Sequence, residues 1–220
     1  MATYDLEEQE QLDELKTWWK MYGNLVTAVA VAVALAAVSW QGWNWWQRKQ
    51  SAEASTLYFV VQQAVGQKDA KRAREAAGEL IDKYAGTAYA GMAALLSAKA
   101  QIEAGDGKTA RAQMTWAADN AKDEALRELA RLRLAAVLLD EKAYDEAAKQ
   151  LAAEPGLALA PRHAELKGDL FALQGKMAEA KQSYEAALVK VDAAAKLDGN
   201  PHAAFRGVLQ AKIESLGSAK

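Results

Sequence analysis

Polar and apolar positions follow two different rules along this chain. Between Lys20 and Arg48 there is no charged residue, and the stretch from Leu25 to Val38 reads LVTAVAVAVALAAV. Apolar residues on every side of a helix need a surrounding that is itself apolar, and about 20 of them in a row span the hydrocarbon of a bilayer. A transmembrane helix over residues 21–47 is therefore predicted. Valines at 29, 31 and 33 alternate with alanines as in a strand, but both faces are apolar, so the alternation carries no inside-outside information. Trp18, Trp19 and Tyr22 stand before the apolar run, and Trp40, Trp43, Trp45 and Trp46 after it. Amphipathic rings collect at headgroup level, so these two clusters mark the two membrane interfaces. Ala34-Leu35-Ala36 fits a signal-peptidase site, yet the preceding segment is long and acidic where a signal peptide is short and basic.

After Ser51 the pattern changes to amphipathic helices that repeat. Ala73, Ala110, Ala147 and Ala180 can be placed in register at intervals of 37, 37 and 33. Four residues after each comes Ala77, Met114, Leu151 or Tyr184, and seven after each comes Leu80, Ala117, Glu154 or Ala187, with Glu154 the exception. Before each lies a turn: Gly66-Gln67-Lys68-Asp69, Gly105-Asp106-Gly107, Asp140-Glu141-Lys142 and Gly175-Lys176. Helix, turn and helix at a spacing of about 34 residues form the signature of a tetratricopeptide repeat. The last unit, with Gly168, Phe171, Gly175, Ala180, Tyr184 and Ala187, has the small-aromatic-small spacing in which small residues let paired helices approach. The first unit departs most, as a terminal unit does. Gly199-Asn200-Pro201 predicts a stop, a cap and a helix start. Beyond it Phe205, Val208, Leu209, Ile213 and Leu216 form an apolar stripe of a closing helix, with Arg206, Gln210, Lys212 and Glu214 elsewhere. The expected class is all-α: an acidic tail over residues 1–20, one transmembrane helix over 21–47, and a tetratricopeptide-repeat-like solenoid over 51–220 with a C-terminal capping helix.

Composition narrows the chemistry. The first 50 residues hold four basic and six acidic side chains, which leaves 23 of each sign in the rest. A balanced domain lacks the basic excess that binds nucleic acid through its phosphates. There is no cysteine, which removes disulfides, thiolate metal sites and thiol nucleophiles, and only His163 and His202 could supply imidazole. No catalytic, cofactor or metal site is expected. Ser183 and His163 fall on different helices, and Gly105-Asp106-Gly107-Lys108 lacks the spacing of a phosphate loop. Asp145, Glu146, Glu124 and Glu128 read as solvated helix faces, and Trp116 as packing. The acidic run from Asp5 to Glu14 reads as a solvated helix leading into the membrane, or as a docking tail for a basic partner. Lys16 and Lys20 before the span balance Arg48 and Lys49 after it, so charge alone assigns no orientation.

Stacked helical hairpins expose one face of their first helices. The positions that line it are Met92, Lys99 and Ile102, then Arg133, Ala136 and Leu139, then Arg162, Leu166 and Asp169. A mixed apolar and basic lining suits an extended or partly unfolded peptide, although any exposed helix face shows a similar mixture.

A tail reading EEQEQLDELKTWWKMYGN, a single span ending in GWNWWQ, degenerate tetratricopeptide repeats and a terminal LQAKIESL together resemble the YfgM family, the ancillary subunits of the SecYEG translocon in Gram-negative bacteria. The resemblance implies a cytoplasmic N-terminus, a periplasmic repeat domain and an inner-membrane location. It also implies the translocon and the membrane-anchored chaperone PpiD as partners, with a role in assisting secreted proteins as they emerge. The rival expectation is a regulatory scaffold whose acidic tail sequesters a cytosolic stress-response regulator.

Overall fold

The computed structural model describes residues 2–199 and 202–218. It is helical throughout, with no strand among the described residues. The chain divides into two units, residues 1–50 and 51–220. Helix α1 (Ala2–Gly66) supplies all of the first unit and the opening helix of the second.

In the first unit the apolar stretch is exposed. Its most apolar 18-residue window has a mean hydropathy of 2.0 and is 6% buried, so α1 is long and apolar enough to cross a membrane. All seven aromatics are exposed. Tyr22 and Trp40 lie about 27 Å apart along the helix, close to the roughly 30 Å of a hydrocarbon core. Within each cluster the rings touch, Trp18 to Tyr22 at 5.8 Å and Trp43 to Trp46 at 5.5 Å between centroids.

The second unit is a run of hairpins. The end of α1 pairs with α2 (Ala70–Tyr84), α3 (Ala88–Glu103) with α4 (Gly107–Asn120), α5 (Glu124–Asp140) with α6 (Tyr144–Gln150), and α7 (Ala160–Leu173) with α8 (Met177–Asp198). Helix α9 (Ala203–Ser218) packs on α8. The first helices also touch one another, α3 on α5 and α5 on α7.

One turn is used four times. Lys68, Gly105, Lys142 and Gly175 each have positive φ, at 58°, 84°, 60° and 76°. The next residue donates its N–H five positions back, Asp69 to Ala64, Asp106 to Gln101, Ala143 to Leu138 and Lys176 to Phe171, at 2.8–2.9 Å. That is a Schellman closure, which satisfies carbonyls left open at a helix end and turns the chain back. The second helix then starts two residues beyond the positive-φ residue, at 70, 107, 144 and 177. The register alanines 73, 110, 147 and 180 thus occupy one position of each second helix, and all four are fully buried. Ala77, Met114, Leu151 and Tyr184, one turn on, are buried as well.

Glu154 breaks the register because its helix stops early. Helix α6 ends at Gln150, and Glu154 is exposed in the following loop, just before Pro155, which disfavours a continuing helix. His163 Nε2 lies 3.0 Å from the Leu151 carbonyl, and Glu128 accepts a 3.0 Å hydrogen bond from the Gly156 N–H, so the loop is held at both ends.

Gly168 of α7 lies directly against the Tyr184 ring of α8. A Cβ there would fall 2.3 Å from the Tyr184 ring, so only glycine lets the ring lie against the α7 backbone. The closing helix differs from expectation in one residue. Phe205, Leu209, Ile213 and Leu216 face the core shared with α7 and α8, whereas Val208 is 47% exposed. Gly199 ends α8 at φ 69°, as expected; Asn200 and Pro201, the expected cap and start, lie outside the described residues, as do the side chains of Asp5, Glu7, Glu8 and Glu10.

Candidate functional site

The contact of α3 with α5, and of α5 with α7, leaves a groove with two adjoining pockets. One, of about 380 Å³, is lined by Lys99, Ile102, Glu103, Met114, Arg133, Ala136, Val137 and Asp140. The other, of about 480 Å³, includes Leu139, Arg162, Leu166, Asp169, Tyr184 and Lys212. Ala136 and Asp140 belong to both. The structure therefore brings together Lys99, Ile102 and Arg133 in the first pocket and Leu139, Arg162, Leu166 and Asp169 in the second. Met92, two turns before Lys99 on α3, lies outside both.

Local folding explains the placement. Arg133, Ala136 or Val137, and Asp140 recur at three- and four-residue steps, so one face of α5 carries all of them. Ile102 projects from the last turn of α3 and is 45% exposed, while Met114 of α4 closes the floor.

The second pocket is closed by a polar cluster. Glu165, only 1% exposed, accepts from Lys212 Nζ at 2.8 Å and pairs with Arg162. Lys212 Nζ also donates to Asp169 Oδ1 at 2.6 Å and sits 5.5 Å from the Tyr184 ring centroid. The Tyr184 hydroxyl donates to the same Asp169 oxygen at 2.7 Å. Burial, reinforced by that bond to a carboxylate, pushes the phenol well above its ordinary pKa, so Tyr184 stays neutral. A buried carboxylate is tolerable only when paired, and Lys212 supplies the pairing from a helix at the far end of the chain. Lys212, set off the apolar stripe of α9 in the sequence, points into the groove. Its partners lie 43 and 47 residues earlier, so no local spacing could reveal it. Asp140 was the other omission. Read as a turn residue, it is the last residue of α5, seven after Arg133 and on the same face.

The remaining candidates have structural roles. Asp106 caps α4, and hydrogen bonds from Thr109 hold its carboxyl below the ordinary range, with Arg74 and Lys108 adding to the effect. Ser183 donates to the Glu179 carbonyl of its own helix. Trp116 packs between two core clusters. Glu146 does more than face solvent, because Arg111 of α4 bridges it to Glu141 and ties one hairpin to the next. Among the described residues no group of acidic or histidine side chains is arranged to hold a metal ion.

A stack of hairpins around small buried residues, with a lined groove and a long apolar helix ahead of it, defines a helical-repeat scaffold. The sequence profile of the tetratricopeptide repeat-like domain family matches residues 16–218. The chain belongs to that family and, within it, to the ancillary SecYEG translocon subunits. A protein of Neisseria gonorrhoeae bearing that name is 30% identical over 96% of this chain and 98% of its own length. One of Haemophilus influenzae is 32% identical over 84% of this chain and 90% of its own. One of Escherichia coli is 27% identical, over 95% and 96% respectively.

Proposed function

We propose that this chain is a single-pass inner-membrane accessory subunit of the SecYEG translocon, acting as a scaffold rather than as a catalyst. Residues 21–47 form its anchor, residues 1–20 a cytoplasmic acidic tail, and residues 51–220 a periplasmic repeat domain. The groove along α3, α5 and α7 grips a partner chain, either a PpiD-like chaperone or a secretory protein leaving the channel. The observation that carries the reading is the exposed apolar helix fused to buried helical hairpins, in a chain whose relatives carry the translocon name over nearly their whole length.

The mechanism is one of concentration. Tethering a weak peptide-binding face beside a channel exit converts a bimolecular encounter into a local one, at an effective concentration that reaches the millimolar range for short linkers. Affinity of the groove then need not be high. Mild-detergent purification of the tagged full chain is expected to recover SecY and a PpiD-like chaperone. Recovery of neither would overturn the translocon reading.

A further inference from the structure

The groove is electrically asymmetric. Most of its charges are already answered within the fold. Lys99 pairs with Glu103 at 3.6 Å, Arg162 with Glu165, and Lys212 with Glu165 and Asp169. Arg133 and Asp140 are the exceptions among the described residues that line it: both are exposed, and neither has an ion pair or hydrogen bond. They stand at two ends of one pocket, the one floored by Ile102, Met114, Ala136 and Val137. An apolar floor between an unanswered cation and an unanswered anion has a definite complement.

We infer that the pocket between Arg133 and Asp140 receives an apolar side chain of an extended peptide segment, flanked by an acidic residue against Arg133 and a basic residue against Asp140. This deepens, and rests on, the reading of the groove as a peptide-binding face. Seven residues of α5 span roughly 10 Å. An extended peptide advances about 3.1–3.4 Å per residue. Its acid and its base therefore stand about three residues apart, with the anchor between them. The floor contributes burial of the anchor, and the two charges select the segment, since like charges brought against them are repelled.

The test uses the full chain in detergent micelles and three labelled ten-residue peptides, alike except for two positions three residues apart that flank a pair of leucines. One carries an acid and a base there, one two acids, one two bases. The mixed peptide is expected to bind about fivefold more tightly than either like-charged one. The Asp140→Arg chain should then prefer the two-acid peptide, and the Arg133→Glu chain the two-base peptide. Both substitutions are on exposed side chains, so folding is retained. Equal binding of the three peptides, no saturable binding of any, or unchanged preference in both variants would overturn the inference. Co-purification with the translocon by the native chain is a separate reading, so failure here and failure of the accessory role are told apart.

Discussion

His163 links the fold to its own charge state. It is 1% exposed, and Nε2 must carry the proton, because it faces the Leu151 carbonyl. Burial lowers its pKa below 6.5, and Lys167 and Lys190 push the same way, while the Leu151 hydrogen bond and Glu154 oppose them. The folded state therefore resists a proton that the unfolded chain accepts. Stability from this group is complete above the unfolded pKa of about 6.5 and is lost as pH falls toward the folded one, at up to about 1.4 kcal/mol per pH unit. The urea midpoint of the full chain in micelles is expected to drop between pH 7.5 and 5.5, and to drop less in His163→Gln, whose amide can still donate to Leu151. An equal drop in both chains would place the titration elsewhere. His163 was visible in the sequence only as an unassigned imidazole, since its partner is the carbonyl of the residue just past a helix that stops early.

The hairpins themselves were legible, and the reason is chemical economy. A buried alanine one turn into each second helix, and a turn before it, are local features that recur with the repeat. Lys68 and Lys142 were legible only as members of turns, because their left-handed backbone is a shape that glycine announces and lysine hides. A left-handed non-glycine residue costs about 1 kcal/mol relative to glycine. Lys142→Gly is accordingly expected to slow hydrogen exchange of the α5 core amides about fivefold, and Gly175→Ala to speed that of α7 by a similar factor. No change in either would mean that these amides exchange through openings that leave the turns intact. The groove was partly legible for the same reason: three-residue steps on α5 place Arg133 and Ala136, whereas Lys212 arrives from a helix that only the tertiary fold brings back to Glu165.

At the scale of the molecule, charge does not set the sidedness. Two lysines precede the span and an arginine and a lysine follow it, so the positive-inside bias that normally orients a single helix is level. Nor can the repeat domain settle it by charge, with 23 residues of each sign outside the first 50. With no net charge, the repeat domain gains no overall electrostatic pull toward anionic headgroups, and α1 is the helix long and apolar enough to cross a bilayer. On the proposed reading the groove takes extended peptide where chains are still unfolded, which on the outer side of an inner membrane means the channel exit. Protease added to intact spheroplasts is therefore expected to remove a C-terminal tag and digest the repeats, while an N-terminal tag survives until lysis. Carbonate washing should leave the protected fragment in the membrane. If the C-terminal tag survives instead, the groove faces the cytosol, and the proposed periplasmic placement of the repeats is overturned.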